Sequence, residues 1–298
     1  MGVTGLARWV NAPTTSLDLI SQNIARNHQG QARGKWHLSV KSFRSTLSAI
    51  PGFQVHSERT MCALTMNDNV FVLVEDPVAP SRADLLAQQL PEGQTPIPLT
   101  GPGAPKHYCK TFLTLNPPGA LEQLLSQLRA RWASVRQTSG ANQLSHTAGQ
   151  QLTVDGLVYS IGTDFVVRAG NVILAGGAVK GMLLEAEYLP LTAMHRSTDG
   201  TMELLTNLLV SILPNIPDAK TAAVTMSDSI WEEVLWDREQ EEEEQANPKP
   251  PETDDINKVF VSGDEDMVTS KKGEWSGVDR DRRSAFLIIG ALKSEGLL

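Results

Sequence analysis

Between Gly156 and Leu191 the chain reads GLVYSIGTDFVVRAGNVILAGGAVKGMLLEAEYLPL, and this stretch constrains the fold more than any other. Apolar residues cluster at Leu157-Val158, Phe165-Val166-Val167, Val172-Ile173-Leu174 and Met182-Leu183-Leu184. Ala169-Gly170-Asn171 and Gly176-Gly177 stand between the runs, the pattern of successive strands joined by glycine turns. Helical periodicity flanks the stretch on both sides. Leu121, Leu124, Leu125, Leu128, Trp132 and Val135 recur on one helical face, and Leu204, Leu205, Leu208, Leu209, Ile212 and Leu213 mark a second helix over Met202–Leu213. A largely antiparallel sheet flanked by amphipathic helices buries both sets, so the expected class is α+β.

The N-terminal half extends the same plan. Val3, Leu6, Trp9 and Val10 have strand character that Pro13 closes. Thr14, Thr15 or Ser16 can cap a helix with Asp18 in its first turn, Leu17, Ile20 and Ile24 at helical spacing, and Gly30 at its end. Trp36, Leu38 and Val40 then alternate with Lys35, His37, Ser39 and Lys41, a strand with one wet face, which completes a first β-α-β arrangement. Met61–Met66 and Val70–Glu75 read as a hairpin about Asn67-Asp68-Asn69. Residues 76–105 are rich in Pro and Gly and read as a long surface excursion, with a short helix over Ala83–Leu90. His107–Asn116 alternates weakly through Tyr108, Phe112, Leu113 and Leu115 until Pro117-Pro118-Gly119 stops it, and Ser139–Gln151 is polar and loop-like. Thr198 or Asp199 can cap the second leucine helix, and Pro214 ends it.

Charge divides the C-terminal part of the chain. Trp231–Asp266 holds fourteen acids against Arg238, Lys249 and Lys258, a balance of −11 that leaves about +3 for the rest of a chain whose net charge is −8. Acids this dense repel, so residues 237–273 are expected to be a disordered acidic insertion. Asp279–Ser294 resumes an amphipathic pattern through Phe286, Ile289 and Leu292. Residues 274–298 are therefore expected to pack back on a body formed by residues 1–236. A near-neutral body without a basic stripe argues against direct nucleic-acid binding. Two cysteines, Cys62 and Cys109, are too few for a disulfide framework or a four-cysteine zinc site and suit a reducing compartment. The first residues lack a secretory signal pattern, Leu6 stands where myristoylation wants Ser or Thr, and no apolar run approaches the roughly 20 residues that span a bilayer. No membrane association is expected.

Candidate chemistry is sparse. Glu185 and Glu187, two apart on a strand, put both carboxylates on one face, as in tunnel-type metal-dependent triphosphate hydrolases. That pattern wants a Lys two residues further on, where this chain has Leu189, so an exposed polar face is the preferred reading. Gly176–Gly181 lacks the spacing of a phosphate-binding loop and has Met182 where a hydroxyl is needed, so it reads as a hairpin connection. Cys109 follows His107 by two, which does not make a nucleophile and base. His28, His37, His56, His107, His146 and His195 are scattered singly. No catalytic, cofactor or metal site is expected, and partner-binding residues are not legible.

Met1-Gly2-Val3-Thr4, Asp164–Gly170, Gly181–Tyr188 with its Glu185-Ala186-Glu187-Tyr188, the leucine-rich helix Met202–Pro214, and Trp275-Ser276-Gly277 leading into Asp279–Ser294 together resemble the family of Mediator complex subunit 20. The resemblance implies a β-barrel-like sheet flanked by helices, a fold shared with Mediator subunit 18. It implies a heterodimer with subunit 18 in the head module, contacts with other head subunits including subunit 8, and indirect contact with RNA polymerase II and the TATA-binding protein. The implied role is that of a non-catalytic coactivator subunit in the nucleus, without cofactors. The excursion at 76–105 and the acidic insertion suggest a fungal version. The competing expectation is a tunnel-type triphosphate phosphohydrolase using Glu185 and Glu187.

Overall fold

The computed structural model describes residues 3–46, 57–87, 105–127, 132–134, 151–189, 200–213, 219–222 and 277–298. Ten strands form one sheet: β1 (Val3–Val10), β2 (Gln31–Ser45), β3 (Thr60–Met66), β4 (Asn69–Glu75), β5 (Lys110–Leu115), β6 (Trp132–Ser134), β7 (Gln151–Ile161), β8 (Phe165–Ile173), β9 (Val179–Tyr188) and β10 (Ala219–Ala222). Their order is β10-β1-β9-β8-β7-β2-β3-β4-β5, with β6 against the end of β2. Every ladder is antiparallel. Among the described residues, five helices accompany it: α1 (Ser16–Asn27), α2 (Arg82–Ala87), α3 (Ala120–Gln127), α4 (Gly200–Ile212) and α5 (Gly277–Ser294).

The sheet path is open, ending at β10 and β5, yet it is strongly curved. Helix α5 touches β1 as well as β3 and β4. In a flat sheet β1 and β4 would lie six strand spacings apart, roughly 29 Å, whereas a helix with its side chains is only about 10 Å across. The sheet must therefore curl around α5 as a trough, barrel-like in outline without closure. One core cluster fills this concave side: Leu6, Trp36, Leu38, Val40, Leu64, Phe71, Phe112, Val154, Val172 and Leu183 from the strands meet Ala285, Leu287, Ile288, Ile289 and Leu292 of α5. On the convex side, α1 and α4 cover β1, β7, β8 and β9 through Ile20, Ile24, Leu205, Leu209 and Ile212, while α3 places Leu121 against Met61, Ala63, Val70 and Val72.

Two glycines explain part of the curvature. Gly156 on β7 pairs with Gly170 on β8. A Cβ on Gly156 would stand 1.9 Å from the Ala169 carbonyl oxygen, so the strands approach at this point more closely than any side chain allows. Ala169-Gly170-Asn171 is thus not a break between strands, as the sequence suggests, but the middle of β8. The real turns are Gly162-Thr163-Asp164, with Gly162 at φ 59°, and the Leu174–Ala178 connection, with Gly177 at φ 80°. The second contains the Gly176-Gly177 pair expected to turn a hairpin, closed by Leu174 N–H donating to the Ala178 carbonyl at 2.9 Å.

The β3–β4 hairpin forms as expected, with Asn67 at φ 53° in its turn. The β-α-β reading also holds, although β9, β8 and β7 lie between β1 and β2. Buried Trp36, Leu38 and Val40 alternate on β2 with exposed Lys35 and His37. The helix expected over Leu121–Val135 is a correction: α3 is described over Ala120–Gln127, and Trp132 belongs to β6, paired with Ser45. Leu128 and Val135 lie outside the described residues. The strand expected over His107–Asn116 shortens to β5, and the short helix expected at Ala83–Leu90 is α2. Thr198, Asp199, Pro214 and the acidic stretch 237–273 also lie outside the described residues.

Candidate functional site

Strand alternation places Glu185 and Glu187 on the same side of β9 as Leu183, facing the trough. Both residues are 1% exposed, which overturns the reading of a solvated polar face. Two adjacent buried carboxylates are costly unless cations and donors meet them, and here the neighbouring elements supply both. Arg168 on β8 is in register with Glu185. Its Nη1 donates to Glu185 Oε2 at 2.9 Å and its Nη2 to Glu187 Oε2 at 3.3 Å. From α5, Arg280 donates to Glu187 Oε2 through Nε at 3.0 Å and Nη2 at 2.5 Å. Ser284, one helical turn on, donates its hydroxyl to Glu185 Oε1 at 2.5 Å. Burial pulls the Arg168 pKa down, but the Glu185 and Glu187 charges and the Glu185 hydrogen bond outweigh it, and the net direction is up. Arg168 is thus held as the guanidinium that bridges the two carboxylates.

Two carboxylates thus face two guanidiniums, Arg168 and Arg280. A catalytic cation needs carboxylate oxygens with room for water or substrate, and a general acid or base needs a proton it can exchange. The cluster spends its carboxylates on arginine and serine instead, so what it does is hold α5 against β8 and β9. Among the described residues, no group of three or more His, Cys, Asp and Glu side chains is placed to hold a metal ion.

At the far end of α5, Lys293 pairs with Glu75 of β4, and Glu295 lies 3.0 Å from Arg8 of β1. Burial lowers the Arg8 pKa, against the opposing pull of Glu295. Along the β4–β5 side, Asn67 donates to Asp281 at 2.8 Å, and Arg282 Nη2 donates to the Phe112 carbonyl at 2.6 Å. None of these contacts is predicted by sequence reasoning. The available signal was Arg168, a charge within the apolar run of β8.

A second polar cluster lies where β4 leaves the sheet. The Asp76 carboxylate, its side chain 7% exposed, takes Arg59 Nε at 2.6 Å and His107 Nε2 at 2.7 Å. It also accepts from Val78 N–H at 3.1 Å. Burial alone would raise its pKa, but His107, the Val78 amide and Arg59 reverse this and lower it. His107 therefore serves Asp76. Cys109 joins the same clasp through its backbone, donating to the Pro80 carbonyl and accepting from Asp76 N–H, both at 2.8 Å. His28 and His37 lie apart from it, and His56, His146 and His195 fall outside the described residues.

A curved antiparallel sheet with a helix in its trough, and with the buried Glu185–Glu187 pair held by arginines, defines an α+β protein. Residues 1–242 match the family described as the TATA-binding related factor (TRF) of subunit 20 of Mediator complex, and the chain belongs to that family. Its role is accordingly that of a Mediator subunit in the regulation of transcription. No individually curated protein matches the sequence. Among solved structures, the chain is similar to the PH1819 protein of Pyrococcus horikoshii OT3, at 12% identity over 76% of this chain and 95% of that one, TM-score 0.33. It is also similar to HpAC1 of Hippeastrum, an adenylyl cyclase candidate described as having a dominant triphosphatase activity, at 12% identity over 77% and 93%, TM-score 0.35. The Mimivirus capping enzyme triphosphatase follows at 8% identity over 72% and 90%, TM-score 0.26. The family match, and not these structures, identifies the chain. No described helix is long and apolar enough to cross a membrane.

Proposed function

We propose that the chain is a non-catalytic structural subunit of the Mediator head module, acting in the nucleus on RNA polymerase II transcription through contacts with other proteins. Its direct partner in this reading is subunit 18, with which it forms a heterodimer. Other head subunits, including subunit 8, lie next to the pair, and RNA polymerase II and the TATA-binding protein are reached indirectly. The observation that carries the reading is the family match over residues 1–242. The state of Glu185 and Glu187 supports it, because a pair neutralised by Arg168 and Arg280 is suited to fixing a helix and poorly suited to binding a cation. The test is affinity capture of the tagged chain from a nuclear extract of its own source, with the captured proteins identified. Subunit 18 in stoichiometric yield with the head subunits is the expected result. Capture that lacks Mediator subunits would contradict the reading.

A further inference from the structure

Helix α5 reaches the trough from outside the family-matched part of the chain. That match ends at residue 242, and residues 223–276 separate β10 from α5. The helix nevertheless supplies five buried residues, Ala285, Leu287, Ile288, Ile289 and Leu292, to the core cluster. Its polar contacts run from its first turns to the residue beyond its end and reach both halves of the sheet. Arg280 and Ser284 meet Glu187 and Glu185 of β9, Asp281 meets the β3–β4 turn, Arg282 meets β5, Lys293 meets β4 and Glu295 meets β1.

A purely apolar groove would accept an amphipathic helix in several registers and in either direction. Sliding α5 by one turn, or reversing it, would leave Glu185 and Glu187 buried without Ser284 and Arg280, and such a loss counts heavily against every wrong placement. The carboxylate pair therefore works as an address that selects one helix in one register.

We propose that the concave face of the sheet is a helix-recognition site. Its ligand is an amphipathic helix carrying Arg and Ser four residues apart, and the chain's own α5 is that ligand, recognised by its side chains rather than by its covalent connection. This is the helix-in-groove mode of recognition, with the ligand carried on the same chain as its groove, so that its local concentration is set by the covalent connection. The proposal stands independently of the Mediator reading.

The experiment uses the full chain with one protease site introduced between residues 242 and 276 and cut after folding. A fluorescent synthetic peptide of residues 277–298 is then added. The expected result is that the cut protein remains a single species on size exclusion, that the labelled peptide enters it in exchange for the cleaved segment, and that unlabelled native peptide competes. Peptides bearing Arg280→Ala or Ser284→Ala should compete at least about tenfold more weakly than the native one. A Val278→Ala peptide, altered at a residue 49% exposed, should compete like the native peptide. Three results would overturn the proposal: no exchange over days while the cleaved segment stays bound, aggregation of the body on cutting, or equal competition by all four peptides. The body keeps its own contact residues in every arm, so a folding defect in a variant cannot imitate any of these outcomes.

Discussion

On the convex face of the sheet, α1, α3 and α4 rest on clusters of apolar side chains, whereas the concave face takes in one helix together with buried Arg8, Glu185 and Glu187. Apolar burial has no direction, so the convex helices are held mainly by area and tolerate surplus, with the Ser21–Tyr159 and Ser16–Asn171 hydrogen bonds of α1 added to it at 2.5 and 3.1 Å. On α4, Leu204 and Val210 remain 43% and 48% exposed beside the fully buried Leu209. Charged hydrogen bonds do have direction and are lost if a helix shifts by one turn. The same sheet is thus covered mainly by apolar area on one side and by charged, directional hydrogen bonds on the other.

The two faces should differ most at Arg168. Arg168→Leu leaves the buried Glu185 with the Ser284 hydroxyl and no cation while Glu187 keeps Arg280, and should cost about 3–5 kcal/mol in chemical denaturation. Adding Glu185→Leu should recover most of that loss, because Arg280 and Glu187 then balance each other. A neutral single variant would mean that the cluster is solvated. On the convex face, Leu209→Ala should cost roughly 3 kcal/mol by transfer and cavity terms alone. No second substitution of a charged residue should rescue it.

The Asp76 clasp lies outside both faces and should weigh less. Asp76→Asn should lose about 1.5–3 kcal/mol at neutral pH, the range for hydrogen bonds to a charged group. The folded pKa of Asp76 is lowered, so its contribution is present above the unfolded value of about 3.9 and is lost as pH falls through the folded value. Urea midpoints measured from pH 6 downward should therefore decline less steeply in the variant than in the wild type. Parallel curves would remove Asp76 from the account.

The smallest effect is expected at the acidic stretch, which we propose is an insertion dispensable for folding. Replacing residues 238–272 by a short Gly/Ser linker should change stability by no more than about 1 kcal/mol, since loop closure changes by only about 0.6 kcal/mol per doubling of length. Truncation after Lys272 removes α5 and should collapse the trough, seen as loss of a cooperative thermal transition. If both chains unfold alike, α5 does not hold the concave face.

Elements whose cause is local were legible in the sequence. The β3–β4 hairpin combines two alternating runs with Asn67-Asp68, and α5 shows its buried Ile289 and Leu292 at helical spacing. Errors arose where a local pattern had a tertiary cause. Gly170 looks like a turn residue because nothing nearby in sequence shows Gly156 pressed against it. Trp132 falls at helical spacing after Leu121, Leu125 and Leu128, yet it pairs with Ser45 in the sheet. The address itself was hidden: two glutamates alternating on a strand look solvated, and their partners Arg168 and Arg280 lie 17 and 93 residues away from Glu185 and Glu187 respectively. Burial of that pair exists only once the sheet has curled.

The claim that this acidic pair locks a helix and binds no catalytic cation can be tested directly by titrating Mg²⁺ and Mn²⁺ into the purified full chain. Thermal unfolding and phosphate release from a nucleoside triphosphate would be followed together, alongside a Glu185→Ala/Glu187→Ala chain. The account predicts no rise in Tm beyond that given by a matched ionic strength of monovalent salt, and no phosphate release above buffer from either chain. A saturable rise in Tm accompanied by metal-dependent release that vanishes in the double variant would contradict it.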